Sequence, residues 1–376
     1  MVRGLAALFG VVVLGIFLAA CGVDSEYGGY SAYGVDGAYD DGDLMSVVTE
    51  YLPEILVFER VDIDSVDFAA LVMPTSVEHG EIGHWYIRHL SAYLPGRVPF
   101  TYRELDAALW LWQMLLAVGF NNEQVQVQTF SYDDVAQWYD YFGWGVTLRY
   151  SIEQGWHEGH ETRNYSQNII VTIPGRSAQT IIIGAHYDSL RYEGTSDNAS
   201  GTALLMESAQ RMLALDNYHT LVYVFFGAHE IGLLGAFYFY DSLTQEQRDN
   251  IVVYINADVL IEGPDLLISA GYGFYRSRPL RQNDTSARLL EITTTFSYDN
   301  DIEVRHETVS GSDELVFLYR GHTAVGLWGM CPVRFTNFLH TPQDRYEYID
   351  SRFPGMIPRA MNAFALLLEE FLMSEL

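Results

Sequence analysis

Most of the apolar runs in this chain are continuous and lack the polar alternation of a half-exposed strand, and they alternate with segments whose apolar residues recur at helical spacing. Strands that are apolar on both sides need cover on both faces, which is typical of a mainly parallel sheet enclosed by helices. We therefore predict an α/β fold, a three-layer α/β/α sandwich around a mixed, mainly parallel sheet with helices on both faces.

The pattern extends from about residue 85 to the end of the chain at residue 376. The segments that predict strands are EQVQVQTF, NIIVTIPG, TIIIGAHYDS, TLVYVFFGAHE, IVVYINADVL and HTAVGLWGM. The segments that predict helices are ELDAALWLWQMLLAVGF, GTALLMESAQRMLAL and IPRAMNAFALLLEEFL. We expect one domain over residues 85–376, with its ligand site beyond the carboxyl ends of the parallel strands.

The first 84 residues lack this pattern and divide into three parts. Residues 1–20 form a short apolar run after a basic start, and the LAAC sequence resembles a bacterial lipoprotein signal with cleavage before Cys21. Residues 21–43 are rich in Gly, Tyr, Asp and Ser, which predicts a flexible acidic tether, and residues 44–84 predict an N-terminal extension. We expect a lipid anchor at Cys21 and a position in the bacterial cell envelope, facing the periplasm or the exterior. An ordinary signal peptide or a short membrane anchor is the alternative.

The composition limits the classes of molecule that the protein is expected to bind. The formal net charge is -28, and all 21 basic residues are arginines. A surface this acidic repels nucleic acid, so we expect no nucleic-acid partner. The two cysteines, Cys21 and Cys331, are too few for a disulfide framework.

Acidic and histidine residues follow the predicted central strands where each strand ends. Two histidines and three carboxylates are the ligands that a pair of zinc ions needs when the ions lie about 3.5–4 Å apart and share one carboxylate. The residues that match this count are His186, Asp197, Glu230, Asp258 and His340. Asp188, two residues after His186, is placed to accept the second N–H of that imidazole and to fix its tautomer.

The motifs around these residues are GAHYDS, SDNASG, FFGAHEIGLLGA, NAD and HTPQD. They resemble, in order, the five metal-site motifs of the M28 family of zinc aminopeptidases, and the resemblance covers roughly residues 85–376. It implies a mixed sheet of about eight strands between helices. It also implies two Zn²⁺ ions per chain, a peptide substrate with a free N-terminus, and hydrolysis of the N-terminal peptide bond by a metal-activated water.

The resemblance also assigns the ligands to the two ions. His186 and Asp258 would bind the first metal, Glu230 and His340 the second, and Asp197 would bridge the two.

The pattern departs from the family at one position. The family normally has Glu–Glu where this chain has His229–Glu230, and the first Glu is its general base. His229 is therefore a candidate catalytic residue together with Asp188, and three interpretations stay open: a working base, an extra zinc ligand, or a mark of weakened turnover. For Asp313 three roles stay open: it supports the site, it contacts substrate, or it caps a loop.

Two rival functions follow from the same residues. One is glutaminyl-cyclase-like acyl transfer, which uses a single zinc ion. The other is a catalytically weakened scaffold that retains the metal-binding fold because His229 replaces the general base.

Overall fold

A computed structural model of the protein describes residues 77–135, 159–263, 265–270, 284–307, 311–329 and 338–376. The predicted signal peptide, the tether and most of the N-terminal extension lie outside the described residues, as do Cys21 and Cys331. Within these ranges, no helix is long and apolar enough to cross a membrane.

The described strands form one mixed, eight-stranded sheet in the order β1-β2-β4-β3-β5-β8-β6-β7. The four central strands β4, β3, β5 and β8 are parallel, whereas β1 and β2 at one edge, and β6 next to β8, pair antiparallel. The predicted mainly parallel sheet is confirmed. The strands are β1 Val125–Ser131, β2 Tyr165–Ile173, β3 Ser177–His186, β4 His219–Phe226, β5 Ile251–Ala257, β6 Leu266–Ala270, β7 Val304–Glu307 and β8 Ala324–Trp328.

Helices precede, separate and follow these strands. The described α-helices are α1 Glu81–Tyr93, α2 Tyr102–Ala117, α3 Ser200–Leu213, α4 Leu234–Ser242, α5 Gln245–Asp249, α6 Asp284–Asn300, α7 Glu314–Leu318, α8 Tyr346–Arg352 and α9 Met356–Met373.

The two faces of the sheet bury alternate residues of the same strands. On β3, Ile181 and Ile183 pack into a core with α1, α2, α3, α6 and α9, whereas Ile182 packs on the opposite face with α4 and α7. On that second face, the rings of Tyr254 and Phe317 stack with centroids 3.9 Å apart, a contact that contributes about 0.5–1.5 kcal/mol beyond area burial. The period-2 alternation of strands thus produces the predicted three-layer α/β/α sandwich.

Helix α1 crosses the predicted boundary between the extension and the domain. Its first turn is held by the buried carboxylate of Glu207 on α3, which accepts the N–H groups of Gly80 at 2.8 Å and Gly83 at 2.6 Å. The same carboxylate pairs with Arg211 at 2.8 Å. Because the N–H groups of a helix start have no partner within the helix, a buried acid there is stabilising. The packed domain therefore begins before residue 85.

The carboxyl ends of the central strands meet at one edge of the sheet. His186, the last residue of β3, lies opposite Phe226, the last residue of β4. Asp258 directly follows β5, which pairs with β3 on its other side. The chain leaves β3 towards β4 and returns on the opposite side of β3, so this edge is a topological switch point where ligands typically bind.

Candidate metal centre

All five predicted metal ligands lie together at this edge. Three of them end or follow the parallel strands β3, β4 and β5, and the other two lie in loops that precede α3 and α8. Asp197 lies in a short turn, Thr195–Ala199, at the start of α3. The fold therefore brings together side chains that the sequence separates widely.

Asp197 lies between two pairs of ligands and directs one carboxylate oxygen to each. Its Oδ1 is 3.1 Å from Nε2 of His186, and its Oδ2 is 2.6 Å from Nε2 of His340. His186 also lies 3.2 Å from Oδ1 of Asp258, and His340 lies 3.4 Å from Oε2 of Glu230. A carboxylate that faces both pairs in this way has the geometry required of a bridging ligand.

The donor set fits metal ions. The candidate ligand atoms form two groups, within each of which the atoms lie within 4.8 Å of one another: His186, His229 and Asp258, and Asp197, Glu230 and His340. Oε1 of Glu230 is buried and has no hydrogen-bond partner among the described residues. A buried polar atom without a partner costs about 1–3 kcal/mol, and a cation would satisfy it. Imidazole nitrogen and carboxylate oxygen are both zinc ligands.

The electrostatic field of the site favours cations. Burial alone would lower the pKa of His186 and His340, but the surrounding carboxylates outweigh it and raise the pKa of both well above the ordinary value. Burial would raise the pKa of Asp197, yet His340 and His186 hold that pKa well below its usual range. Burial and the neighbouring Asp197 raise the pKa of Glu230. Two imidazolium groups thus provide positive charge among buried acids in the metal-free protein.

His229 stacks directly on His186. The two ring centroids are 3.7 Å apart and the ring planes differ by 4°. On its far side, Nδ1 of His229 lies 3.0 Å from Oδ2 of Asp313, at an angle that does not meet hydrogen-bond geometry. Burial would lower the pKa of His229, but the Asp313 carboxylate raises that pKa to about 9.

The contacts of Asp313 show which of two roles left open by the sequence it has, support of the site or capping of a helix. It is the N-cap residue of α7, but its side chain makes no capping hydrogen bond. The carboxylate is fully buried, neither oxygen has a hydrogen bond among the described residues, and His229 is the ion-pair partner that lies against it. The side chain therefore supports the site and does not cap the helix.

Asp188 contacts the site differently from the sequence-based expectation. Nδ1 of His186 is 3.1 Å from the backbone oxygen of Asp188, whereas the carboxylate is 3.6 Å from that nitrogen. The two carboxylate oxygens instead accept the N–H groups of His229 at 3.1 Å and Glu230 at 3.0 Å. The backbone carbonyl of Asp188 is thus the nearer acceptor for the N–H at Nδ1 of His186, with the carboxylate of the same residue beyond it.

The loops that carry the ligands hold residues in the left-handed region of backbone space. Ala228, Val259 and His340 have φ values of 53°, 52° and 57°. This conformation is unfavourable for residues with a side chain, above all for a β-branched valine. Such strain persists only where surrounding contacts hold the backbone, and it concentrates at functional sites.

Comparison with known proteins agrees with this geometry. The sequence profile of peptidase family M28 matches residues 168–365, which include all five predicted ligands. This chain belongs to peptidase family M28. A curated M28-like relative, aminopeptidase YwaD of Bacillus subtilis, is 31% identical over 198 residues, which cover 50% of this chain and 41% of YwaD. The chain spans about half the length of the curated relatives it matches.

Solved structures share the M28 fold at low sequence identity. BSAP, a zinc aminopeptidase from Bacillus subtilis, superposes with a TM-score of 0.60 at 16% identity, covering 78% of this chain and 95% of BSAP. The glutaminyl cyclase of Bacteroides thetaiotaomicron superposes with a TM-score of 0.58 at 16% identity, covering 79% of this chain and 98% of the cyclase. A zinc aminopeptidase and a glutaminyl cyclase therefore both share this architecture.

Sequence reasoning missed one residue that organises this M28 site. Arg97 is fully buried, and its guanidinium donates to the backbone oxygens of Leu94, Tyr187, Glu193 and Gly194. It therefore holds the chain that leads from β3 towards Asp197. An isolated arginine in PGRVPF carries no sequence signal for this role, because its partners are backbone carbonyls brought near by the fold.

Proposed function

We propose that this protein is a zinc-dependent aminopeptidase that hydrolyses the first peptide bond of substrates with a free N-terminus. The observation that carries the proposal is the position of Asp197, with one carboxylate oxygen near His186 and the other near His340. That arrangement suits two ions better than one. We propose that His186 and Asp258 hold the first ion, that Glu230 and His340 hold the second, and that Asp197 bridges them.

Zinc ions in such a site supply Lewis-acid activation of a water molecule and of the scissile carbonyl. The chain itself would supply the remaining functions. With Asp258 and Glu230 committed to metal, attraction for the ammonium group of a peptide N-terminus would come from the acidic chain around the centre, whose formal net charge is -28. A preference for a free amino group over a blocked one follows from this charge.

We propose that His229 is the general base. A metal–imidazole bond lies in the ring plane and is about 2.0–2.1 Å long. Because the rings of His229 and His186 are parallel and 3.7 Å apart, one ion could bind both nitrogens only if His229 turned away from Asp313. Cations bound nearby would lower the raised pKa of His229 and favour its neutral form. In that form the proton would lie on Nδ1, 3.0 Å from Oδ2 of Asp313, so that Nε2 could accept the proton of an attacking water and then return it to the leaving amine.

Asp188 has a positioning role in this proposal. Its backbone oxygen orients His186, and its carboxylate holds the amides of His229 and Glu230. It thereby fixes the position of the proposed base relative to two ligands, without contacting substrate.

We propose that the protein acts outside the cytoplasm, held to the membrane by lipid on Cys21. The LAAC sequence and the acidic tether that follows support this location. Labelling cells with a fatty-acid analogue tests it. We expect label on the wild-type protein and none on Cys21→Ser, which should also leave the membrane fraction.

The function itself is tested by metal analysis and a panel of aminoacyl anilides. We expect about two zinc ions per chain, hydrolysis of unblocked substrates, and loss of activity on chelation with recovery on adding zinc. N-acetylated substrates should be inert. Activity that ignores chelators would defeat the proposal. One ion per chain with cyclisation of N-terminal glutamine would favour the cyclase function, and full metal loading without turnover would favour the scaffold.

A further inference from the structure

Three buried polar side chains connect the loops that carry Asp197, Asp258 and His340. We propose that Asn198, Glu262 and Asp344 hold these loops in their ligand-bearing arrangement before any cation binds, and that they thereby set the affinity of the site for metal. We call them the tie residues. The inference rests on the metal centre of the proposed function. The tie residues are positioning residues, because each acts on a ligand through the backbone next to it.

Asp344 fastens the loop of His340 to the loop of Asp197. It lies four residues after His340, and its carboxylate is 2% exposed. Oδ1 accepts the N–H of Ser196 at 2.6 Å, and Oδ2 accepts the N–H of Asp197 at 3.1 Å. The amide of the proposed bridging ligand is therefore fixed by a side chain from another ligand loop.

Asn198 fastens the loop of Asp197 to the end of β5. Its Nδ2 donates to the backbone oxygen of Ala257 at 3.0 Å, and its Oδ1 accepts the N–H of Val259 at 3.3 Å. These two contacts lie on either side of Asp258. Asn198 thus holds the backbone on both sides of one ligand while it adjoins another.

Glu262 fastens the loop of Asp258 to the loop of His340. It is fully buried, and Oε1 accepts the N–H groups of Phe338 at 3.2 Å and Leu339 at 3.3 Å. These amides immediately precede His340, whose φ of 57° is strained. Glu262 therefore stabilises the unfavourable conformation that presents the imidazole.

The three ties form a closed circuit. Asn198 reaches from the first loop to the second, Glu262 from the second to the third, and Asp344 from the third back to the first. A shift of any one loop must break hydrogen bonds to both of the others. A preassembled ligand set does not lose loop conformational entropy on binding metal, which increases affinity.

Hydrogen exchange of the unaltered, metal-free protein tests preassembly directly. We expect the amides of Ser196, Asp197, Val259, Phe338 and Leu339 to be protected without metal, with little further protection after zinc is added. Exchange at loop-like rates that slows only on adding zinc would overturn the proposal. This measurement needs no variant, so it stays decisive if a variant fails to fold.

Matched variants test the effect on affinity. Glu262→Met keeps side-chain size but removes the one oxygen that accepts both N–H groups before His340. Asp344→Asn keeps side-chain size but replaces one of its two accepting oxygens by an NH2 donor. We expect each to weaken zinc binding by about 10–100-fold in competition with a chromophoric chelator. Glu347→Met and Asp350→Asn, both exposed on α8, are the controls and should bind zinc as the wild type does. Affinities within twofold of the controls would refute the role.

A double variant separates a circuit from two independent contacts. Once one tie is broken, the second holds the loops less firmly, so Glu262→Met combined with Asp344→Asn should lose less affinity than the product of the two single losses. Multiplicative losses would contradict the circuit. None of these measurements involves peptide hydrolysis. A protein with protected amides and tight zinc binding but no peptidase activity would refute the proposed function and leave this inference standing.

Discussion

Nδ1 of His229, the proposed general base of this M28 protein, lies 3.0 Å from Oδ2 of Asp313, a fully buried carboxylate at the start of α7. The pair resembles an orienting acid and an imidazole base, in which the acid selects the tautomer. In the proposed function, His229 would therefore be a different base from the glutamate that usually occupies this position.

Asp313→Asn should lower kcat for an aminoacyl anilide by about 10²–10³-fold, the usual contribution of a positioned base. The neutral amide no longer favours the tautomer with a proton on Nδ1. Zinc content should be unchanged, because Asp313 is outside the proposed ligand set. The control is Asp216→Asn, whose side chain is 82% exposed. A kcat equal to that of the control would exclude the orienting role.

His229→Glu should lower activity, although it restores the residue that is usual in the family. The new carboxylate would face the Asp313 carboxylate across about the same short distance. Repulsion between the two like charges would raise the pKa of one carboxyl group or push one of the two side chains away. Adding Asp313→Asn should recover part of the lost rate by removing one of the two charges. A large gain from His229→Glu alone would instead mean that the natural protein is a weakened catalyst.

Metal binding should release at least two protons per fully loaded chain at neutral pH. The raised pKa values of His186 and His340 mean that both are protonated in the metal-free protein, and each must lose the proton on Nε2 to bind a cation. Affinity should therefore rise as pH increases and fall in acid. Calorimetry in buffers of different ionisation enthalpy measures the proton count. A pH-independent affinity between about pH 6 and 8 would contradict this electrostatic description.

Asp197→Asn should remove at least one bound ion, because an amide supplies only one neutral oxygen where two pairs of ligands need a carboxylate between them. The remaining ligands would repel a second cation that lacks the bridge. Elemental analysis after dialysis measures the loss, with Asp216→Asn again as the control. Full metal content in Asp197→Asn would show that the carboxylate does not bridge.

The fold was largely predictable because it depends on local patterns. Apolar runs such as TIIIGAHYDS and TLVYVFFGAHE predicted strands β3 and β4 to within a few residues at each end, and helical spacing predicted α2, α3 and α9. Helix α1 was missed at the predicted domain boundary, because its N-terminal turn depends on the buried Glu207 of α3. A helix start that is held by a distant acid leaves no local capping signal.

The sequence by itself determined the chemical types and the order of the proposed ligands, since strand ends of a parallel sheet converge at one edge wherever the strands are correctly assigned. Only the tertiary structure decided what surrounds them: that the Asp188 carboxylate binds amides, that Asp313 lies against His229, and that Asn198, Glu262 and Asp344 join three loops. These contacts depend on Å-scale distances between backbone and side chains far apart in the chain. Residue type and spacing do not encode such distances, because packing of the whole domain sets them.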